Sequence, residues 1–250
     1  MKTTLDDIVE ILKGGRVVAF TGAGISTASG IRDYRGPDGL WKIFDQKDFT
    51  IDTFMRSPSE YWKKRILRKR AGFNPLFAEP NPAHFALHDL QEMKLVREII
   101  TQNTDGLHQK AGSTDVIELH GNASRCVCTK CSKSFSTLWA DEFAESNSMP
   151  PLCDVCRLPL KPDVVMFGES LNPRNLELAS QAAMNCEAML VIGTTASVYP
   201  ASMYPRIAKR TGAKIIEINA EETELSRDLV DESAIGDCSK ILPMLVEKVG

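Results

Sequence analysis

The sequence has no hydrophobic run that reaches the roughly 20 residues needed to span a membrane. Its N-terminal stretch, MKTTLDDIVEILKGG, carries acidic side chains where a secretory signal has an apolar run. These two absences predict a chain that has no membrane partner and stays inside the cell, in the cytoplasm.

The sequence also lacks an excess of either charge, since 30 basic residues stand against 33 acidic ones. A chain with this balance has no overall positive field, so we expect no sequence-specific binding of nucleic acid. Its 250 residues, 43% of them hydrophobic, can bury a full core as one large domain or as a domain with an inserted module.

A disulfide framework is not expected, although the chain has seven cysteines, because an intracellular compartment keeps thiols reduced. The stretch CVCTKC supplies three cysteines where a C-x-x-C metal knuckle needs two. Pairing Cys128 and Cys131 with Cys153 and Cys156 gives two equal knuckles at a zinc-ribbon spacing and leaves Cys126 spare. Four thiolates close the coordination sphere, which predicts one structural zinc ion; buried thiols or a redox pair are the alternative.

The first elements are predicted to be a helix and a strand that ends in a glycine-rich loop. Thr4 can cap a helix that Gly14-Gly15 ends, and RVVAF follows as a buried strand. In the next stretch, TGAGISTASG, Gly22 and Gly24 would let the backbone approach a phosphate group, the alternative being a tight turn without a ligand. No second strand with a ribose-binding acid follows, which disfavours an ordinary dehydrogenase.

Three further predicted strands also end in polar or small residues. The residues at these ends are Gln102, Asn103 and Asp105; Gly193, Thr194 and Thr195; and Asn219. Ligands of an open parallel sheet bind beyond the carboxyl ends of its strands, so the four ends are expected to surround one site. Helical patterns over residues 82–93, 176–184 and 203–209 fit crossovers between strands. The predicted fold class is α/β, a Rossmann-type doubly wound parallel sheet.

Two blocks interrupt this pattern and are predicted to form a small domain. Residues 40–80 show no clear strand and are expected to be a helical insertion, and residues 125–159 carry the zinc-ribbon cysteines. The large domain then comprises residues 1–39, 81–124 and 160–250.

One of the four histidines stands out as a candidate catalytic base. His120 follows the short apolar strand VIEL and precedes Gly121, so its imidazole is expected at a strand end, with a pKa near neutrality. His84 and His88 are four residues apart on a predicted helix, but the glutamate of an H-E-x-x-H metal motif is missing. A structural or surface role is predicted for these two, and packing or a loop hydrogen bond for His108.

Eight motifs occur in one order along nearly the whole chain: GAGISTASGIRDYRG, TQNTDGLHQKAG, ELHGN, the paired C-x-x-C, PDVVMFGE, GTTASVYP, INAEET and GDC. This series resembles the sirtuins, which are NAD-dependent protein-lysine deacylases. The resemblance implies that the large domain binds NAD across a cleft from the small domain. It also implies that the enzyme deacetylates lysine in proteins or peptides, and that NAD is consumed.

The resemblance implies a reaction in which the acyl-lysine carbonyl oxygen attacks C1′ of the nicotinamide ribose, nicotinamide leaves and an O-alkylamidate forms. His120 would then be the general base for a ribose hydroxyl that attacks the imidate carbon, and water would complete the release of lysine and O-acetyl-ADP-ribose. Asn103 would orient the ribose and the water, and Asp105 would meet the nicotinamide carboxamide.

The remaining residue roles are carried over from the family motifs. The residues expected to bind NAD are Gly22, Ala23, Gly24, Ser26, Asp33, Tyr34, Arg35, Gln102, Asn103, Asp105, Gly193, Thr194, Thr195, Asn219 and Cys238. The segment expected to pair with the acyl-lysine peptide as an added strand is Val165, Met166, Phe167, Gly168 and Glu169.

The sequence departs from the family pattern around the cofactor. Arg32 stands where proline is usual, Tyr34 where phenylalanine is usual, and Thr195 where serine is usual. Thr104, in place of an aliphatic residue, would add a hydroxyl near the nicotinamide pocket.

Three alternatives to deacetylation stay open. Some sirtuins that remove acidic acyl groups have a Tyr and an Arg after a Trp, and Arg65 and Arg68 occupy those positions after Trp62. Arg68 could therefore hold a succinyl or malonyl carboxylate, although a solvated helix face is the simpler hypothesis for KKRILRKR. The chain could also be a protein ADP-ribosyltransferase, or an inactive NAD-sensing module that binds partners.

Overall fold

The computed structural model describes residues 4–147 and 149–250, without the side chains of residues 226 and 227. The strands in this part are β1 (Val17–Thr21), β2 (Val96–Thr101), β3 (Val116–Glu118), β4 (Gly121–Cys128), β5 (Ser134–Ser136), β6 (Leu160–Val164), β7 (Ala188–Ile192), β8 (Lys214–Asn219) and β9 (Glu232–Ile235). The α-helices are α1 (Leu5–Gly14), α2 (Ile51–Arg56), α3 (Pro58–Arg70), α4 (Pro82–Glu92), α5 (Leu107–Lys110), α6 (Thr137–Asn147), α7 (Pro173–Asn185), α8 (Met203–Arg210), α9 (Leu225–Asp228) and α10 (Cys238–Val249). Short 3₁₀ helices span Ala23–Ser29, Leu40–Lys42, Gln46–Phe49 and Pro75–Phe77.

Six parallel strands form the main sheet, in the order β3-β2-β1-β7-β8-β9. The two central strands, β1 and β7, are buried along their whole length, as expected where helices cover both faces of a parallel sheet. The order reverses between β1 and β7, and this is the point at which such sheets bind ligands. The predicted doubly wound α/β fold is confirmed.

Helices pack on both faces of this sheet. Helices α1, α4 and α10 cover one face through side chains such as Leu12, Leu87 and Leu242, each fully buried. Helices α7 and α8 cover the other face, where Ala183 and Tyr204 pack in one apolar cluster. The predicted crossover helices over residues 82–93, 176–184 and 203–209 are confirmed as α4, α7 and α8.

The N-terminal helix forms as the sequence predicts. The Thr4 hydroxyl accepts a hydrogen bond from the Asp7 amide, and the Asp7 carboxylate accepts one from the Thr4 amide. This capping box satisfies donors that the first turn leaves free. Ile8, Val9 and Leu12 are the buried side chains of the helix.

A second, antiparallel sheet has the order β5-β4-β6. It shares an apolar cluster with α2 and α3 of residues 40–80, in which Phe54, Trp62 and Ile66 pack with Leu160. The Trp62 indole Nε1 donates to the Leu160 carbonyl at 2.9 Å. The helical insertion and the cysteine-rich block therefore form one packed unit. The exact domain boundaries stay a prediction, since β4 runs across the one expected between residues 124 and 125.

No helix within the described residues is both long and apolar enough to cross a bilayer.

Candidate active site

The ends of four parallel strands are joined by hydrogen bonds from polar side chains. After β2, the Gln102 amide donates to the Thr194 hydroxyl at 2.9 Å, and the Asn103 amide donates to the Gly22 carbonyl at 3.0 Å. The Thr194 backbone amide donates to the Asn219 side-chain oxygen at 2.9 Å. The structure thus brings the predicted strand-end residues of β1, β2, β7 and β8 together at one edge of the sheet.

Two glycine loops meet at the centre of this edge. The Gly24 amide donates to the Gly193 carbonyl at 2.8 Å. A Cβ atom on Gly24 would lie 2.7 Å from the Gly193 Cα, and one on Gly22 would lie 2.6 Å from the Thr194 Cβ. Side chains at either position would push the two loops apart. The close approach of the two loops therefore requires glycine at both positions, and the phosphate-binding role of the loop stays a prediction.

A buried polar cluster lies beside the glycine loop. The Ser26 hydroxyl donates to an Asp105 carboxylate oxygen at 2.7 Å and accepts from the Asn103 side-chain amide at 3.2 Å. Burial raises the pKa of the Asp105 carboxyl above its usual value, against hydrogen bonds from the Leu107 amide and Ser26 that lower it. The cluster places a carboxyl group and an amide side by side, a suitable partner for a carboxamide.

Two histidines that the sequence did not assign to the site lie next to this cluster. His84 is fully buried, and its Nε2 lies 3.5 Å from the Ser26 hydroxyl. The His108 Nε2 lies 3.0 Å from the Thr21 hydroxyl, which donates to the Thr101 hydroxyl at 2.8 Å. Burial lowers the pKa of His84 to about 4; burial, and then the nearby His84, lowers the pKa of His108 to about 3. Both rings are therefore neutral near pH 7 and act as hydrogen-bonding supports.

His120 lies between β3 and β4, at the same edge of the sheet. Its Nδ1 lies 2.9 Å from the Gln102 carbonyl, which can only accept, so Nδ1 carries the proton and Nε2 keeps a free lone pair. Burial lowers the pKa of His120, and the hydrogen bond to Gln102 offsets part of this. At neutral pH the imidazole therefore has one defined tautomer and can accept a proton at Nε2.

The loop after the glycine-rich 3₁₀ helix holds three further predicted cofactor residues. The Asp33 carboxylate accepts from the Gly36 amide at 2.8 Å, so it orders the turn. The Tyr34 ring packs on Trp41, with ring centroids 5.1 Å apart, and Arg35 is exposed. Arg32, the residue in the usual proline position, donates to the Asp38 carbonyl at 3.1 Å and lies over the Phe73 ring.

The remaining predicted cofactor residues lie at the same edge. The Cys238 sulfur, at the start of α10, lies 3.9 Å from the Gly24 carbonyl. Ala23 is half-buried, and the Thr195 hydroxyl lies 3.1 Å from that of Ser197. The Thr104 carbonyl accepts from the Ala123 amide at 2.7 Å.

The predicted peptide segment, residues 165–169, follows β6 and is fixed on two sides. The Val165 amide donates to the His120 carbonyl at 2.9 Å, and the Phe167 amide donates to the Phe49 carbonyl at 3.0 Å. The Glu169 carboxylate turns inward, where it accepts from the Met166 amide and the Lys161 ammonium group. The segment therefore adjoins the candidate base directly, through the backbone of His120.

Four cysteines form a compact thiol cluster in the small sheet. The sulfurs of Cys128, Cys131, Cys153 and Cys156 all lie within 4.8 Å of one another. The Lys130 amide donates to the Cys128 sulfur at 3.5 Å, and the Cys156 amide donates to the Cys153 sulfur at 3.4 Å. Amide hydrogen bonds of this kind stabilise thiolates, so the donor set fits a closed tetrahedral zinc site.

Cys126 lies outside this cluster. It is fully buried, its sulfur lies 3.2 Å from the Thr137 hydroxyl, and burial raises the pKa of its thiol to about 11. A neutral buried thiol packs as a small apolar side chain.

The hypothesis of a solvated face for KKRILRKR is wrong for two of its arginines. Arg65 makes two hydrogen bonds to Asp141 on α6, at 2.7 and 3.1 Å, and the Asp141 side chain is fully buried. The Arg68 side chain is only 13% exposed; it donates to Asp48 at 2.9 Å and lies over the Phe49 ring, 4.3 Å from its centroid. Both cations face inward because carboxylates from other elements pair with them.

The sequence interpretation missed four supporting residues of the site. His84 and His108 were assigned no part in it, although the position of His84, three residues before the buried Leu87, places it on the inner face of α4. Lys161 and Asp48 gave no local signal, because their partners are set by tertiary packing.

Comparison with known proteins shows close relatives. A family model described as Sir2 family matches residues 22–200. A protein of Sulfurisphaera tokodaii, named NAD-dependent protein deacetylase, is 43% identical over 96% of this chain and 93% of its own length. A solved structure named Sir2-p53 peptide-NAD+ is 36% identical, covers 98% of both chains and superposes with a TM-score of 0.88. Another, of a Sir2 variant with deacetylated p53 peptide and 3′-O-acetyl ADP ribose, is 37% identical, covers 99% of this chain and 98% of its own, and has a TM-score of 0.90.

Proposed function

The chain belongs to the Sir2 family, and we propose that its site removes acetyl groups from lysine side chains of proteins or peptides while consuming NAD. The relatives carry the names of NAD-dependent deacetylases, and the solved neighbours contain the peptide, the dinucleotide and the acetylated product. The single observation on this chain that carries the proposal is the fixed tautomer of His120.

His120 is the general base in this proposal. Because Nδ1–H donates to the Gln102 carbonyl, the lone pair of Nε2 is available to take a proton from a ribose hydroxyl. The lowered pKa keeps this nitrogen unprotonated at neutral pH. The ribose oxygen that loses its proton then attacks the imidate carbon. Nε2 passes the proton to the lysine nitrogen as that nitrogen leaves, which frees the lone pair to activate the water that completes O-acetyl-ADP-ribose.

Different strand-end residues are assigned to different parts of the cofactor. The loop of Gly22, Ala23 and Gly24 is assigned to the phosphates, because it lies at the sheet edge where the ends of β1 and β7 meet. Asn103 orients the nicotinamide ribose, with Asp105 at the carboxamide and Ser26 holding Asp105 in place. The adenosine half is assigned to Gly193, Thr194, Thr195, Asn219 and Cys238, and Gln102 supports it through Thr194. Asp33, Tyr34 and Arg35 form the loop that covers the reactive ribose.

The peptide is assigned to the segment Val165–Glu169. Pairing with a strand-like segment recognises the backbone of the substrate first, which allows many sequences around the acyl-lysine. The zinc ion assigned to Cys128, Cys131, Cys153 and Cys156 stabilises the small sheet from which this segment begins, and a closed coordination sphere leaves it no catalytic position.

The acyl chain is assigned as acetyl, with the acidic acyl groups as the second candidate. The acidic-acyl hypothesis needs Arg68 to be available to a carboxylate. Its guanidinium already pairs with Asp48 and is covered by the Phe49 ring. A second carboxylate would have to displace Asp48, so this geometry supports a small neutral acyl group.

One experiment tests the proposed function against its alternatives. The protein is incubated with an acetyl-lysine peptide and NAD that carries a label in its adenine ring. Deacetylation predicts label in free O-acetyl-ADP-ribose and an equal amount of deacetylated peptide. Label on protein would show ADP-ribosyl transfer, and binding of NAD without turnover would show a sensing module; either result would contradict the proposal.

A further inference from the structure

A buried lysine lies beneath the predicted peptide segment. The side chain of Lys161, on β6, is only 7% exposed. Its ammonium group donates to the Pro162 carbonyl at 3.1 Å, the Val164 carbonyl at 2.8 Å and the Glu169 carboxylate at 2.9 Å. An ammonium group has three donors, and all three are used here. A charge at this depth is retained only because it is fully paired.

The partners of Lys161 lie at the two ends of the peptide segment. The Val164 carbonyl precedes the segment, and Glu169 is its last residue. The same Glu169 oxygen that accepts from Lys161 also accepts from the Met166 amide at 3.0 Å, and the Glu169 amide donates to the Met166 carbonyl at 3.0 Å. The ammonium group and the carboxylate thus close residues 161–169 into a ring of hydrogen bonds, which we call the Lys161 clasp.

The clasp fixes the segment in relation to the base. Between the two ends of the ring, the Val165 amide donates to the His120 carbonyl, and Phe167 pairs with Phe49 and Ile51 through its amide and its carbonyl. Within the described residues, the Val165 carbonyl and the Gly168 amide take part in no hydrogen bond and remain for an incoming strand. Without the clasp, only the backbone bonds of Val165 and Phe167 would hold the segment, and the substrate would have to order the rest of it.

We infer that Lys161 is a positioning residue for the peptide substrate: through Glu169 it holds residues 165–169 in the conformation with which an acyl-lysine peptide pairs. This inference rests on the proposed function. Lys161 touches neither substrate nor cofactor in this account, so its loss should weaken peptide binding and leave the chemical step intact once peptide is bound.

The test compares steady-state kinetics of Lys161→Met with those of wild type, with NAD saturating and the acetyl-lysine peptide varied. We expect KM for the peptide to rise about tenfold while kcat stays within about twofold, because the lost interaction stabilises the bound peptide equally before and in the transition state. Lys161→Arg keeps a cation with several donors, so it should bring KM back to within about threefold of wild type. The matched control is Lys248→Met, which removes an exposed ion pair with Asp6 and should change neither constant.

Hydrogen exchange gives a readout that does not depend on activity. In Lys161→Met the hydrogen-bonded amides of the segment, those of Val165, Met166, Phe167 and Glu169, should exchange faster, while those of the central sheet keep their protection. Should this variant fail to fold, Glu169→Leu removes the accepting carboxylate and so opens the same ring, and the same two measurements apply. A rise in KM with faster exchange, reversed by Lys161→Arg, supports the inference.

Three results would overturn the inference. One is an unchanged KM despite faster exchange, another is a loss confined to kcat, and the third is a Lys161→Arg variant as impaired as Lys161→Met. If the wild type is active and any of these results is found, the role of Lys161 is refuted and the proposed function still stands. A wild-type protein that turns over no acetyl peptide refutes the proposed function itself, and the inference with it.

Discussion

Mild acid should destabilise this fold through two buried imidazoles, those of His84 and His108. Their rings lie edge to face with centroids 5.0 Å apart, and burial lowers the pKa of the first to about 4 and that of the second to about 3. In the unfolded chain both histidines titrate near the ordinary value of about 6.5.

The sign of the effect follows from these values. Above about pH 7 both states carry neutral rings, and the histidines do not affect the free energy of unfolding. Below about pH 6.5 the unfolded chain binds protons that the folded chain excludes, so stability falls until the pH passes the folded pKa values. At pH 5, a folded pKa of about 4 against an unfolded value of about 6.5 gives a loss of about 2 kcal/mol for each ring.

Urea denaturation at pH 8 and pH 5 measures this loss. Carboxylates titrate in the same range, so the wild type is compared with His108→Gln, whose amide can still bond the Thr21 hydroxyl. The difference in unfolding free energy between the two pH values should be about 2 kcal/mol smaller in this variant than in the wild type. His88→Gln is the control, because the His88 side chain is only half-buried. Equal pH dependence in wild type and His108→Gln would refute the reasoning.

Three further predictions concern the small sheet and the helical insertion. Cys128→Ser should lose the zinc and unfold the small sheet, whereas Cys126→Ser, which changes a buried thiol outside the cluster of four sulfurs, should keep one zinc per chain; equal loss of zinc from both variants, measured by atomic emission, would contradict the assignment. Asp141→Asn should lower the free energy of unfolding by about 3 kcal/mol, because it leaves the Arg65 charge without a counter-charge in a buried site; an unchanged denaturation midpoint would contradict this. Arg68→Met should leave the ratio of kcat/KM for acetyl and succinyl peptides within about threefold of wild type, since Asp48 already occupies the guanidinium; selective loss of succinyl activity would assign Arg68 to substrate.

The parts of the site that sequence predicts well are those with a local pattern. Strand ends such as Thr194 and Asn219 follow buried apolar runs, and parallel strands of one sheet necessarily place such ends along one edge. The zinc cluster is likewise predicted by two short, equal spacings, and the sulfurs of Cys128 and Cys153 meet as those spacings require.

The parts that sequence does not predict depend on partners far away in the chain. Arg65 and Arg68 lie in a run of charges that is usually solvated, and only the packing of α3 brings Asp141 and Asp48 to them. Lys161 stands in a short strand with no pattern to mark it, and Glu169 reaches it because the chain turns back after β6. Pairing of buried charges is a tertiary property, and periodicity along the chain does not report it.

The central claim is that His120 acts as the base after NAD has been cleaved. The most direct test measures deacetylation by wild type and His120→Ala with saturating NAD and acetyl-lysine peptide, together with NAD binding and zinc content of both proteins. We predict that the rate of deacetylation falls by about a thousandfold, the usual scale for loss of a general base, while NAD affinity and bound zinc stay close to wild type. Deacetylation by the alanine variant at a rate near that of wild type would contradict the account.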